Sequence, residues 1–380
     1  MVQDFFTNLP TEITTDILSR LSIRSYAISK SVCKAWLNLL DSDDFDKSKL
    51  KTPPALVRFN FTKRNSTRCT IFEIEDEDEA DLESHDRHYN RLTDLEIPHR
   101  NITSMECVAA NGLLLLYSPS PQYIPHVCNL ITREYTELSY PEDYIPYRLL
   151  QLGFGVSKIS GQYKVVWINP ETGSDFHCVY TLGTGTWRRV QAGAASGFQF
   201  CGHPILCNDN LHWQVLLYDS TNFIWAFCGF DVETECFSIF PFPFPMGDGS
   251  GYLSVLRDYL CYSCYAHDDE IVNGEIVIWM MKEYLVVESW TIEYKISINE
   301  LDLSFCRRYV FVEAIKLFRD GDVLMLVDRS ILVYYSNKTR TLQQFDKYQD
   351  ADAKVYNTAV IFYPSLLSLK NFGFENVISL

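Results

Sequence analysis

Val179-Tyr180-Thr181-Leu182-Gly183-Thr184-Gly185-Thr186-Trp187-Arg188 places an apolar run, a Gly- and Thr-rich turn and a returning aromatic residue within one short stretch. β-Branched and aromatic residues bounded by Gly and Thr read as two short strands joined by a tight turn. The arrangement recurs on both sides of this stretch. Asn129-Leu130-Ile131-Thr132 precedes Tyr135, Asp231-Val232-Glu233-Thr234 precedes Phe237, Val286-Val287 precedes Trp290, and Asn337-Lys338-Thr339 precedes Leu342. The anchors Tyr135, Trp187, Phe237, Trp290 and Leu342 lie 52, 50, 53 and 52 residues apart, a self-similarity that marks a repeat architecture.

A second series falls between the first: Asn111-Gly112-Leu113-Leu114, Gly161-Gln162-Tyr163-Lys164-Val165, Asn210-Leu211-His212-Trp213, Tyr259-Leu260-Cys261 and Asp320-Gly321-Asp322-Val323-Leu324, each a turn opening onto an apolar strand. Two hairpins per repeat make four strands, the blade of a β-propeller of kelch-like rather than WD-like length. Residues 54 to 363 hold close to six such repeats. The sequence therefore predicts a mainly β chain with a propeller of six blades, the first degenerate, seven being the alternative count. Val355 to Tyr363 is read as a late strand closing the ring against the first blade, because closure removes exposed sheet edges. The anchoring aromatics are read as packing between blades, not as a binding box.

Composition agrees with this and narrows the function. The chain has 380 residues, 47% of them hydrophobic and 14% aromatic, too apolar for disorder and weighted toward strand formers. Its 33 Lys+Arg against 49 Asp+Glu give a net charge of −16, which argues against nucleic acid and anionic membrane surfaces as partners. The N-terminus lacks a secretory signal pattern and no apolar run approaches a bilayer span, so a soluble protein of the cytoplasm, the nucleus or both is expected. The 12 cysteines are then reduced and mostly small buried hydrophobes. In that setting the sequons at Asn60, Asn65, Asn101 and Asn337 carry no weight.

Residues 9 to 40 differ from the repeats. Leu9-Pro10-Thr11-Glu12 opens a helix whose Ile13, Ile17, Leu18 and Leu21 form one apolar stripe, Ser25 is read as capping a second short helix through Ile28, and Val32, Trp36, Leu39 and Leu40 form another stripe. So small a unit cannot bury all its apolar surface on itself, and the remainder needs a partner.

Leu9-Pro10-x-Glu12-Ile13-x-x-x-Ile17-Leu18-x-x-Leu21 followed by Val32-Cys33-Lys34-x-Trp36 resembles an F-box. Downstream, Gly153-Phe154-Gly155 with Tyr163-Lys164-Val165-Val166, the Val179 to Arg188 stretch, Leu211-His212-Trp213, and Ile278 to Tyr284 with Glu288-Ser289-Trp290 are similar to the plant F-box-associated interaction domain. The resemblance implies an F-box over 1–50 and a propeller over 51–380. It implies that Leu9, Pro10, Ile13, Ile17, Leu18 and Leu21 contact a Skp-type adaptor, while Val32 and Trp36 hold the helices together. It further implies a non-catalytic substrate-recognition subunit of a cullin-RING ubiquitin ligase, without cofactors. The alternatives are an F-box scaffold without ligase activity, which the Ser22 found where the family usually has Pro would favour, and a propeller enzyme or glycan-binding module.

No other pattern displaces that expectation. Glu73 to Glu83 carries eight acidic groups and no basic one, read chiefly as a solvated loop and secondarily as steering toward a basic target. Cys261-x-x-Cys264-x-x-His267 has no second ligand pair, and residues three apart on a strand face opposite ways, so no metal is expected; Cys201, His203 and Cys207 fare no better. Gly247-Asp248-Gly249-Ser250-Gly251 has no helix after it to bind phosphate. No His-Glu-x-x-His, Gly-x-Ser-x-Gly or P-loop pattern occurs, and no catalytic residue is named. No residue is named for the target.

Overall fold

The structure, a computed structural model, describes residues 9–21, 23–42, 45, 54–62, 66–74, 89–98, 106–118, 124–143, 151–171, 174–219, 222–242, 251–266, 274–298, 310–328, 331–344, 353–374 and 376–379. Three helices come first: α1 (Thr11–Ser19), α2 (Ile23–Ser29) and α3 (Lys34–Asp41). All following sheet is antiparallel and arranged in six units. No described helix is long and apolar enough to cross a membrane.

Blade 1 contains β1 (Ala55–Thr62), β2 (Ser66–Ile74) and β3 (Tyr89–Pro98). Blade 2 contains β4 (Glu106–Ala110), β5 (Leu113–Tyr117), β6 (His126–Asn129) and β7 (Glu134–Glu137), and blade 3 contains β8 (Leu152–Val156), β9 (Tyr163–Trp167), β10 (Phe176–Thr181) and β11 (Trp187–Gln191). Blade 4 is β12 (Gln199–Cys207), β13 (Asn210–Asp219), β14 (Asn222–Asp231) and β15 (Phe237–Pro241). Blade 5 is β16 (Tyr252–Leu256), β17 (Tyr259–Ala266), β18 (Glu275–Met281) and β19 (Trp290–Ser297), and blade 6 is β20 (Val312–Leu317), β21 (Val323–Val327), β22 (Ile331–Ser336) and β23 (Thr341–Gln344). The chain ends with β24 (Ala353–Phe362) and β25 (Ile378–Ser379).

The six-bladed count holds, and the first blade lacks one strand of its own. β24 supplies it: the order is β24-β1-β2-β3, with Ala55 opposite Phe362 and Val57 opposite Val360. The first strands of successive blades touch one another around the ring, and β24 touches both β4 and β20, which closes it. Both hairpin series read from the sequence fall where they were expected. The Asn111-Gly112 turn joins the first two strands of blade 2, and the turns before Tyr135, Trp187, Phe237, Trp290 and Leu342 join the last two strands of their blades.

Each anchor packs against the blade before it. Tyr135 lies on the cluster of Val57, Phe59 and Ile71 from blade 1. Trp187 lies on Val127 and Leu138 of blade 2, Phe237 on Val166 and Val179 of blade 3, Trp290 on Phe227 and Phe240 of blade 4, and Leu342 on Ile276 and Ile278 of blade 5. The core is thus a ring of apolar interfaces, each filled from the outer strand of one blade. This is why the anchor period equals the blade period.

Antiparallel order puts the first and third turns of every blade at one end of the ring, and the second turns with the inter-blade connections at the other. The chain leaving β24 crosses the first of these ends. A Cβ on Gly112, in the first turn of blade 2, would lie 2.4 Å from Ser365 Cβ, and one on Gly183, in the third turn of blade 3, would lie 2.5 Å from the Phe372 carbonyl. Both glycines have φ near +90°, at +86° and +90°, so backbone conformation and close approach each require the missing side chain.

Candidate functional site

Sequence dictates a helical module with too little surface to hide its apolar side chains, and the structure shows which remain outside. Leu18 and Leu40 are fully buried, Tyr26 and Phe45 nearly so, with Leu21, Trp36 and Leu39 packed around them. Tyr26 donates its hydroxyl to the Leu40 carbonyl at 2.9 Å, tying α2 to α3, and its ring lies 5.9 Å from that of Phe45. Pro10 serves as the cap before α1, its carbonyl accepting from Ile13 and Thr14 at 3.1 and 3.0 Å. At α3, Cys33 Sγ accepts the Trp36 amide at 3.5 Å in place of the more usual hydroxyl or carboxylate cap.

Five large apolar side chains of the module, Ile13, Ile17, Ile28, Val32 and Leu37, keep between 38% and 59% of their surface exposed. Ile13 and Ile17 stand one turn apart on α1 and share a face. Large apolar side chains left exposed on one helix face of so small a module mark an interaction surface.

The residues expected to contact a partner therefore divide. Ile13 and Ile17 are outward, Pro10 is exposed and Leu9 half-buried. Leu21 packs on the module's own core, and Leu18 is wholly inside it, so Leu18 acts on a partner only by supporting the helix. Of the two residues expected to hold the helices together, Trp36 packs against the module's core, whereas Val32, in the link ahead of α3, is 59% exposed. The second helix starts at Ile23, earlier than a cap at Ser25 allows; Ser25 lies inside it, with its carbonyl accepting from Ser29 Oγ. Ile28 and Leu37 were not singled out in the sequence. The signal for them is that neither belongs to a buried stripe.

Elsewhere, several charged groups tie one blade to another. Lys164, buried on β9, donates to the Val232 carbonyl at 2.6 Å and meets Glu235 at 2.8 Å, which also pairs with Arg188. Burial alone would raise the Glu235 carboxyl, but hydrogen bonds from Arg188 and Lys164 outweigh it and lower it. His203, at an irregular part of β12, reaches Glu106 on β4 at 3.0 Å, joining the first strands of blades 4 and 2. A small cleft of about 220 Å³ beside Trp187 contains Arg188 and Arg189, both already paired, the latter with Asp143 and over the Phe176 ring.

Cys261 and Cys264 face opposite ways along β17: the first lies in the interface of blades 5 and 6, the second on that of blades 4 and 5. His267 lies outside the described residues, as do 75–83 of the acidic segment, Gly247 to Ser250, and Ser22. Among the described residues no group of three His, Cys, Asp or Glu side chains is placed to hold a metal. Burial pushes the Cys128 and Cys207 thiols up to about 12, which keeps them protonated at neutral pH.

At the ring's other end the hairpin of β13 with β14 carries Tyr218 and Phe223 at its tip, 66% and 67% exposed with ring centroids 5.2 Å apart, and Ile224 beside them.

Comparison with known proteins agrees with both parts. Residues 6–48 match the family model of the F-box domain, and residues 49–369 match that of the F-box associated beta propeller domain. The chain is 25% identical over 363 residues to the F-box protein At1g47340 of Arabidopsis thaliana, covering 88% of this chain and 74% of that one. It is 26% identical over 316 residues to the F-box protein CPR1 of the same plant, covering 74% and 71%.

Proposed function

The chain belongs to the family of F-box proteins with an F-box associated beta propeller domain, and on that premise we propose that it is the substrate-recognition subunit of a Skp-cullin-F-box ubiquitin ligase. The observation that carries this reading is the exposed apolar set Ile13, Ile17, Ile28, Val32 and Leu37 on a module that matches the F-box. Fully burying such a side chain contributes roughly 1.5–3 kcal/mol, so covering these five, each about half exposed, supplies a large share of the roughly 8 kcal/mol of a micromolar contact with a Skp-type adaptor, and polar contacts around them supply the rest.

The propeller then holds a protein target near the ubiquitin-charged enzyme. Acceleration comes from proximity and needs no side-chain chemistry in this chain. The rim bearing Tyr218 and Phe223 is the target face of this proposal, because the opposite rim is crossed by the segment that follows β24. The complex would act in the cytoplasm, the nucleus or both.

Co-purification tests the adaptor step: wild type retains a Skp-type adaptor, whereas Ile13→Asp/Ile17→Asp and Leu9→Ala/Pro10→Ala lose it. Equal recovery from all three chains overturns the proposal. A reconstituted ligase then separates a target receptor from a scaffold by whether captured protein is ubiquitylated.

A further inference from the structure

The helical module does not close its core alone. Leu366, from the segment following β24, packs into the cluster of Leu18, Tyr26, Leu40 and Phe45. Its position is set from the propeller side. The Asn129 side-chain amide, fully buried in blade 2, donates Nδ2 to the carbonyls on either side of Leu366, to Ser365 at 3.0 Å and to Leu367 at 2.8 Å.

Glu134 on β7 fixes the next residues. Its carboxylate accepts from Ser368 Oγ at 3.0 Å and from the Leu369 amide at 2.8 Å. Leu369 is fully buried between blades 2 and 3, Phe372 meets the Tyr163 ring edge-on at 5.4 Å, and β25 pairs with β7 as a fifth strand of blade 2. The segment is thus bonded to the ring at Ser365, Leu367, Ser368, Leu369 and β25, and Leu366 is the side chain it delivers to the helices.

We propose that the segment 363–374 is part of the adaptor-docking unit, with Leu366 a positioning residue that completes the F-box core and fixes the docking helices on blade 2. The inference rests on the adaptor reading above. A module of some forty residues is marginal by itself, so one added leucine in its core matters. Fixing its orientation also fixes where the propeller sits relative to the ligase, since a rigid connection confines a target to one position and a free one does not.

The test uses the full chain with three substitutions, Leu366→Ala, Leu366→Met and Asn129→Ala/Glu134→Ala. Adaptor affinity is expected to fall about tenfold or more in the first and third and to return to near wild type in the second. Hydrogen exchange of the unbound chain is the second measurement. Amides of α1 and α3 should lose protection in Leu366→Ala while those of blades 3 to 6 keep theirs, a selective change that general destabilisation does not produce. If wild type binds adaptor and Leu366→Ala binds within twofold of it, the inference is wrong. If wild type does not bind at all, the functional reading fails, and exchange decides this inference separately: unchanged protection of α1 and α3 overturns it.

Discussion

His177 and His212 show how single side chains commit this fold to a pH range. The amide of Asn169 donates to His177 Nδ1 at 3.2 Å, and the ring lies edge-on against Phe200 and Phe237; His212 Nε2 meets the Tyr284 hydroxyl at 3.0 Å between blades 4 and 5. Burial pushes both imidazoles down to about 4, so both are neutral in the folded chain at neutral pH. Unfolded, they titrate near 6.5. Between those values the unfolded chain binds more protons, so stability is complete above about pH 6.5 and is lost as pH falls toward about 4, by up to roughly 3 kcal/mol per histidine. Urea midpoints measured between pH 7 and 4.5 should fall less steeply for His177→Gln/His212→Gln than for wild type. Parallel slopes would show that these side chains are already protonated or accessible.

At the scale of elements, the β13–β14 hairpin separates what stabilises from what contacts. Leu211, Trp213 and Val215 are buried against blade 3, while Tyr218 and Phe223 stand beyond the core at the tip. Replacing both tip residues with Ser should change unfolding free energy by no more than about 0.5 kcal/mol each, as for other exposed sites, while reducing retention of any protein captured by the propeller. A chemical-denaturation curve shifted by several kcal/mol would place the tip in the core instead.

Blades were legible in the sequence because every interface repeats the same demand, a large side chain just after the third turn. Tyr135, Trp187, Phe237, Trp290 and Leu342 therefore appear at a fixed interval. The segment carrying Leu366 was not legible. It occurs once, has no period, and its partners Asn129 and Glu134 lie far away in sequence. For the same reason the stripe on α1 was visible while its division was not. Leu18 faces inward and Ile13 outward because of neighbours supplied by other helices and by the far end of the chain.

For the whole molecule, closure depends on one strand. β24 gives blade 1 its first strand and buries Phe362 between blades 1 and 2, with Val360 packed beside it. A chain ending at residue 352 would leave β1 with an open edge, a template for pairing with other chains. Such a truncation is expected to elute as soluble aggregate and to lose the single cooperative thermal transition of the full chain. A monomeric, cooperatively melting product would mean that the ring does not need this closure.

The larger consequence of that architecture is a ring with the helical module on one rim and an exposed aromatic tip on the other. The proposed role turns on docking of an adaptor through Ile13 and Ile17 of the module. The direct measurement is titration calorimetry of the purified full chain with a Skp-type adaptor, wild type beside Ile13→Asp/Ile17→Asp. One-to-one binding at micromolar affinity or tighter is expected, weakened at least about 100-fold in the variant while the propeller melts unchanged. No binding by wild type, or equal binding by the variant, would rule out docking through these side chains.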